Sequence, residues 1–302
     1  MSLSLNNTGL SIIPGAGLSD APALSLISTS KTPVTGLTLS GFDSNTNGII
    51  AAMTANGSTP TGARQIIINN TVTALVTAGY YARLNRLGVI AAATTQQAAV
   101  DWITKTPGLT VNAGMTFTAD QGYVGNGTSG FIDTAQDPTA SSLMSQNSNS
   151  FGAATLSTRS AGADAVLIGN VQISGAFGLF PNSSAPSSIC DDSNAPFGDQ
   201  FTLPNPTVKG LWHISRTAAT TLTTCINGIS AHVAATASAA PTAGKSFWLA
   251  GWRNTDGTTL VFPSTDNVCL WFCGGAFSVP DMLGFATIMN TNYFTPIGHA
   301  LF

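Results

Sequence analysis

Short apolar or alternating stretches recur from about residue 109 to residue 277, and Gly, Asn, Asp or Pro separates nearly all of them. Many short strands with turn signals between them are typical of a β-sandwich or barrel. The clearest turn is Asn227-Gly228, which lies between two alternating stretches and predicts a tight hairpin. The predicted strands are 115–118, 123–124, 131–132, 151–156, 165–168, 176–180, 210–215, 221–226, 246–250 and 268–272.

Two segments outside this pattern predict helices. Thr59-Pro60-Thr61 offers a capping hydroxyl and a first-turn proline, and Gly79 offers a C-terminal stop. The adjacent isoleucines 66–68 argue against this helix, because β-branched residues favour strands. Residues 83–92 and 96–102 continue as a helical or irregular linker. A second helix begins at Ser278 and has an apolar face that contains Met282, Phe285 and Met289.

The first sixty residues differ from the rest because only Asp20, Lys31 and Asp43 are charged there. Their short apolar runs, the last at 49–50, are expected to form short strands or an extended arm. So small a core suggests that the segment packs on something else. The assembly candidates are Leu3, Leu5, Leu10, Ile12 and Ile13. The predicted organisation is an attachment region at 1–60, a helical linker at 61–108 and a β-sandwich at 109–302.

The composition changes what kind of partner is expected. Charged residues make up 8% of the 302 residues, whereas soluble domains carry roughly 25%. Such a chain can bury much of its surface in an assembly, although a weakly charged secreted domain has the same composition. The net charge of −3 gives no electrostatic reason to bind nucleic acid. No apolar run approaches a membrane span and no signal peptide is visible, so synthesis in a cytoplasm without export is expected.

Catalysis, metal binding and cofactor binding are not expected. The chain contains no Glu, and glycoside hydrolysis needs two facing carboxylates. No GxSxG motif accompanies His213, His232 and His299. Asp191, Asp192 and Asn194 could hold calcium through loop oxygens, but a solvated loop explains them better.

The four cysteines are expected to be buried, reduced thiols. Cys190, Cys225, Cys269 and Cys273 show no disulfide framework. Cys269 and Cys273 are four residues apart, which on a strand places them on one face but about 13 Å apart, beyond disulfide reach.

The aromatic residues near the end of the chain are the best candidates for a ligand site. In FWLAGWRN, Trp248 and Trp252 share a face if the segment is one strand. Trp248 and Trp271 are expected in the core, whereas Trp252 is expected to be exposed. Trp252, Arg253, Asn254 and Asp256 are therefore the glycan-binding candidates, because an indole face stacks on sugars and polar neighbours bind hydroxyls.

Several blocks resemble a group of phage and prophage structural proteins with a concanavalin A-like (laminin G-like) jelly roll. The matching blocks are Trp102 after an Ala-rich stretch, 117–120, 122–123, 125–128 and 131–134, then 210–216, the Asn227-Gly228 turn, 247–251 and 276–278. The resemblance covers roughly residues 61–300. It implies a concanavalin A-like sandwich with a helical lead and a C-terminal helix, and it supplies no catalytic residues.

The expected function is that of a non-enzymatic virion protein of the head, neck, tail or fibre. Its N-terminal region would anchor it and display a lectin-like sandwich. Expected partners are other virion proteins and copies of itself, with no nucleic acid and no membrane span. The alternative is a carbohydrate-binding adhesion module for host-surface glycans.

Overall fold

The computed structural model describes residues 41–157, 165–171, 176–181 and 209–302, and the backbone of strands at 4–6, 9–11, 188–194 and 200–201. Contacts divide the chain into two units, Met1–Gly41 and Phe42–Phe302. In the first unit, strands β1 and β2 pair antiparallel, with Leu5 opposite Leu10.

The strands are short and are numbered in chain order. They are β1 (Ser4–Asn6), β2 (Gly9–Ser11), β3 (Leu84–Val89), β4 (Val100–Asp101), β5 (Thr106–Pro107), β6 (Thr110–Val111), β7 (Met115–Thr118), β8 (Gly122–Gly125), β9 (Ile132–Asp133), β10 (Asn149–Thr155), β11 (Ile168–Gly169), β12 (Ala176–Phe180), β13 (Ser188–Asn194), β14 (Gln200–Phe201), β15 (Gly210–Ala218), β16 (Thr221–Ile226), β17 (Ile229–Ala234), β18 (Trp248–Leu249), β19 (Trp252–Arg253), β20 (Leu260–Val261), β21 (Asn267–Val268) and β22 (Leu270–Gly274).

The helices lie mainly near the beginning and the end of the second unit in the amino-acid sequence. They are α1 (Ser44–Ala55), α2 (Gly62–Thr77), α3 (Thr95–Ala98) and α4 (Val279–Ile288), with 3₁₀ turns at Tyr81–Arg83 and Pro138–Ala140 and a π-helical turn at Met289–Phe294 that continues α4. Among the described residues, no helix is long and apolar enough to cross a membrane.

Two antiparallel sheets form the sandwich and confirm the predicted fold class. One has eight strands in the order β17-β16-β15-β10-β22-β3-β4-β5, and the other has seven in the order β14-β13-β12-β11-β18-β9-β6. Their inner faces share one buried apolar cluster, to which Phe151, Trp212 and Trp271 of the larger sheet and Phe177 and Phe247 of the smaller side contribute.

The outer face of the central strands of the eight-stranded sheet is also buried, because the helices cover it. Leu87 and Phe272 point into a second cluster that includes Ile49 of α1, Val72 of α2 and Phe285 of α4. The central strands therefore have apolar residues on both faces. In β22 (Leu270–Gly274), for example, every residue is buried.

The local signals that predicted turns and caps are confirmed. Asn227 and Gly228 have φ of 55° and 79°, which is the left-handed pair that a two-residue hairpin requires between β16 and β17. Thr61 caps α2 through the Arg64 amide. Ser278 forms a capping box with Asp281 at the start of α4, and the apolar face of this helix is buried.

Two predictions about the N-terminal third are wrong. Residues 49–50 lie in helix α1, and Ile49 and Met53, four residues apart, share its buried face. Residues 84–89 are strand β3 in the interior of the larger sheet, where it pairs with β22. The segment 61–108 is therefore not a linker, and the break between units lies at residue 41 instead of 60. Alternation in β3 is hidden because both of its faces are covered.

Candidate functional site

The predicted aromatic platform does not exist, because Trp252 is completely buried. Its ring packs edge-on against Phe180 at a centroid distance of 4.8 Å, in a small cluster with Val166. An indole carries a large apolar area whose burial outweighs the polar character of the next residues in sequence. The prediction that Trp252 is exposed is therefore wrong, whereas Trp248 and Trp271 are buried as expected.

Arg253 belongs to a closed ion-pair network and does not face solvent. Its Nη2 donates to Asp133 Oδ2 at 2.9 Å and to Ser246 Oγ at 2.8 Å. The guanidinium lies 4.2 Å from the Trp248 ring, and that ring stacks on Phe131 at 3.9 Å. Burial lowers the pKa of Arg253, while the Asp133 carboxylate opposes this shift. The cluster joins β9 to β18 and β19 and has a structural role.

Asn254 and Asp256 hold the exposed turn between β19 and β20. Asp256 Oδ1 accepts from the amides of Thr258 and Thr259, each at 2.8 Å. The hydroxyl and amide of Thr259, followed by the Thr258 amide, lower the pKa of Asp256 to about 2. The four glycan candidates are thus neighbours on one hairpin, but they present no shared ligand surface.

A second candidate ligand site lies at the β3–β4–β5 end of the sandwich. It is a cavity of about 150 Å³ between the two sheets. Its lining includes Arg86 and Gly88 of β3, Asp101 of β4 and Trp271 of β22. Thr134 and Ala135, which follow β9, close it from the opposing sheet. Thr106 and Pro107 of β5 are exposed and form its rim.

The position of Trp271 depends on Gly88. The two residues are directly opposite in the β3–β22 register. A Cβ added to Gly88 would collide with Trp271 Nε1, so only glycine leaves room for the indole at this crossing. Trp271 is 1% exposed, and its Nε1–H has no hydrogen-bond partner in the described part of the chain.

Asp101 contributes a buried carboxylate to the cavity wall. Its Oδ1 accepts from the amides of Ile103 at 2.9 Å and Thr104 at 2.8 Å, and Oδ2 accepts from Leu87 N at 3.1 Å. Burial raises the pKa of Asp101, while the Thr104 amide and the charge of Arg86 oppose this shift.

Arg86 is the cation of the cavity. Its Nε donates to Gln136 Oε1 at 2.7 Å, and no described residue accepts a hydrogen bond from either terminal nitrogen. The arrangement therefore places the free donors of Arg86 beside an acceptor on Asp101, with the Trp271 ring as part of the wall. The residues of this site come from four separated segments of the chain, so the site cannot be recognised from the sequence, and Gly88 is the one local signal of a close approach.

A second groove of about 300 Å³ lies beside β8 and β21 and is lined by Gln121, Asn267 and His299 among others. Its polar groups bond to one another: Asn267 Nδ2 donates to the Gln121 carbonyl at 2.7 Å, and Asn267 Oδ1 accepts from Leu156 N at 3.3 Å. It therefore offers fewer unused donors than the inter-sheet cavity.

Three cysteines are buried free thiols, as predicted: Cys225, Cys269 and Cys273. Burial raises the pKa of Cys225 to about 12, which keeps it protonated. The expectation that Cys269 and Cys273 share a face is wrong. Cys269 precedes β22 and packs in the cluster with the helices, whereas Cys273 lies in the inter-sheet cluster. The Cys190 side chain lies outside the described residues.

Other candidates fall partly outside the description. Leu3, Ile12 and Ile13 lie outside the described residues, and only the backbones of Leu5 and Leu10 are described. The side chains of Asp191, Asp192 and Asn194 are likewise not described. Within the described ranges, no three His, Cys, Asp or Glu residues cluster as metal ligands would.

Comparison with solved structures supports the fold. Domain 4 of the extracellular arabinanase AbnA from Geobacillus stearothermophilus, in complex with arabinotriose, matches with a TM-score of 0.51 at 13% identity. The match covers 68% of this chain and 98% of that domain. At this identity the likeness shows the β-sandwich fold alone.

Two further matches have TM-scores below 0.5. A mutant Trypanosoma rangeli sialidase with trans-sialidase activity gives 0.47 at 11% identity, covering 74% of this chain and 39% of the sialidase. The binding domain of botulinum neurotoxin serotype D gives 0.48 at 8% identity, covering 68% and 52%. No protein-family model and no curated protein sequence matches the chain.

Proposed function

We propose that residues 42–302 form a non-catalytic carbohydrate-binding module whose site is the inter-sheet cavity. The observation that carries the proposal is a group of polar atoms at one cavity, namely the two terminal nitrogens of Arg86, which no described residue uses, beside Asp101 Oδ2. A small concave site with a few convergent polar groups is the usual form of a ligand pocket.

The size and lining of the cavity suit a sugar. Its volume of about 150 Å³ is about ten times the roughly 10–15 Å³ that one water requires. Sugars present both donors and acceptors, and the cavity offers both kinds of partner. The terminal nitrogens of Arg86 can donate, Asp101 Oδ2 accepts one hydrogen bond from the protein, and Thr106 contributes a hydroxyl at the rim.

The arabinanase domain adds support, because its structure contains arabinotriose and almost its whole length matches this chain. A non-catalytic role fits the charge distribution of the cavity. Among the described residues that line it, Asp101 is the one carboxylate, whereas glycoside hydrolysis uses an acid and a second carboxylate across the scissile bond.

The Trp271→Phe variant tests the site. We expect the full chain to bind saccharides on a glycan array and the variant to lose affinity by about 3- to 10-fold, because the smaller ring removes part of the cavity wall that contacts the ligand. Isothermal titration calorimetry with the best array ligand measures the loss.

Trp212→Phe is the matched control. Trp212 is also fully buried with an unpartnered Nε1–H, and it lies on the same inner face, but it does not line the cavity. Its replacement should change affinity less than twofold. Equal losses in both variants would remove the site from the cavity, and the absence of any saccharide binding at millimolar concentration would refute the proposed function.

We also propose that this module is displayed on a phage particle. The sequence resemblance over residues 61–300 favours this location, and the low charge of the chain suits burial in an assembly. The two roles are compatible, because a virion protein can carry a glycan-binding sandwich.

Truncation at the boundary between the units tests the attachment role. A chain of residues 42–302 is expected to fold and remain soluble but to be absent from purified particles, as measured by quantitative mass spectrometry against the full chain. Incorporation of the truncated chain at full occupancy would show that residues 1–41 are not the anchor.

A further inference from the structure

Arg86 has a donor fork that no described residue uses. Its Nε is fixed by Gln136 Oε1 at 2.7 Å, which leaves the two terminal nitrogens available. Its carboxylate neighbour in the cavity, Asp101, forms no ion pair with it within 4 Å. The guanidinium is therefore oriented by one hydrogen bond and keeps its two parallel donors for a ligand.

The charge of Asp101 is already compensated by other groups. Four hydrogen bonds reach its two oxygens, from the amides of Leu87, Ile103 and Thr104 and from the Thr104 hydroxyl. The positive charge of Arg86 acts on Asp101 through space, but its two terminal nitrogens have no hydrogen-bond acceptor among the described residues. The Arg86 fork is therefore the charged donor set of the cavity, and no described residue supplies an acceptor for it.

Carboxylates match this donor set better than neutral sugar groups do. An arginine fork binds a carboxylate through two parallel hydrogen bonds, and charge-assisted bonds of this kind are roughly twice as strong as neutral ones. A hydroxyl-only sugar would leave the terminal nitrogens of Arg86 without a charged acceptor in a partly desolvated cavity, which is less favourable.

We infer that the cavity selects an acidic sugar, a hexuronate residue whose carboxylate pairs with the Arg86 fork. A ring hydroxyl of the same residue donates to Asp101 Oδ2, and the Trp271 ring forms part of the wall against which the sugar packs. This inference rests on the proposed function, and it adds the substrate class.

The test compares three probes that share one ring: trigalacturonate, its methyl ester and galactotriose. Calorimetry with the full chain is expected to show trigalacturonate binding about 10- to 100-fold more tightly than the other two, which is the range for loss of a charge-assisted hydrogen bond. Since this comparison uses the unaltered protein, it does not depend on whether any variant folds.

Three variants locate the preference. Arg86→Met is expected to remove the preference for the acid, while Arg86→Lys, which keeps the charge but not the fork, should retain part of it. Lys209→Met is the control, because Lys209 is an exposed cation that does not line the cavity. The Lys209→Met variant should prefer trigalacturonate over the two neutral saccharides as strongly as the unaltered chain does.

Each outcome decides between the claims. Equal binding of the three saccharides, with loss in Trp271→Phe, would overturn the acidic-sugar inference and leave the proposed function standing. Acetate binding as tightly as trigalacturonate would show a carboxylate site without sugar recognition and would also overturn the inference. If no saccharide binds, both claims are wrong.

Discussion

Acidification from pH 7 to pH 4.5 is expected to destabilise the protein by about 2.7 kcal/mol through His213 alone, at roughly 1.36 kcal/mol per pH unit below 6.5. His213 on β15 is 1% exposed, and neither ring nitrogen has a hydrogen-bond partner among the described residues. Its ring packs edge-on against Phe272 at 4.6 Å and Phe277 at 5.3 Å. Burial, with a smaller contribution from the charge of Arg83, lowers its pKa to about 3.

The direction of the effect follows from the depressed pKa of the folded state. Above pH 6.5 the histidine is neutral in both states and does not change the free energy of unfolding. Below pH 6.5 the unfolded chain binds a proton that the folded chain excludes, so stability falls until about pH 3. The full loss is about 5 kcal/mol, which is comparable with the total stability of many domains.

Urea denaturation of His213→Leu at pH 7, 6, 5 and 4.5 measures this contribution. The variant should lose less stability on acidification than the unaltered chain, by about 2.7 kcal/mol at pH 4.5. His299→Leu is the control, because His299 is partly exposed, and it should keep the full acid response. Parallel curves for the unaltered chain and His213→Leu would contradict the prediction.

Removal of residues 1–60 is expected to cost at least about 5 kcal/mol more than removal of residues 1–41. Helix α1 buries Ile49 and Met53 in the cluster on the outer face of the larger sheet, and its Ile50 is buried as well. Truncating one buried Ile or Met side chain typically costs 2–5 kcal/mol, and the longer deletion removes three together.

Polar contacts of α1 would disappear in the same deletion. Asp43 N donates to Asn69 Oδ1 at 3.0 Å, Asn56 Nδ2 donates to the Gln96 carbonyl at 2.7 Å, and Lys105 Nζ donates to Asn45 Oδ1 at 3.0 Å. Chemical denaturation and light scattering of the 42–302 and 61–302 chains measure the difference. A stable, monodisperse 61–302 chain would show that α1 is dispensable.

Local signals predicted local structure well. Three local features were predicted correctly: the Asn227-Gly228 turn, the Thr61 cap and the Ser278 capping box. Each depends on contacts within a few residues, so the residue types at those positions are enough to predict it. Helix α2 formed despite three adjacent isoleucines, because the helical repeat buries Ile68 and leaves Ile66 47% exposed.

Non-local features were not predictable in the same way. Strand β3 has no alternation because both of its faces are covered, and its partner β22 is far away in sequence. Trp252 next to Arg253 suggested exposure, but the arginine itself pairs with the distant Asp133. The cavity is formed by residues from β3, β4, β22 and the segment after β9. A single sequence does not show which distant segments are in contact, so the cavity could not be predicted from it.

The pairing of β3 with β22 has a consequence for biosynthesis. Leu270 lies opposite Val89, so about 180 residues must be synthesised between the two partners of this central pair. Translation proceeds at about 5–20 residues per second. Strand β22 is therefore synthesised roughly 10 to 40 seconds after β3, and until then β3 and the apolar faces of α1 and α2 lack the strand that completes their sheet. During translation this N-terminal part exposes an unpaired strand edge, the condition in which nascent chains aggregate or recruit chaperones.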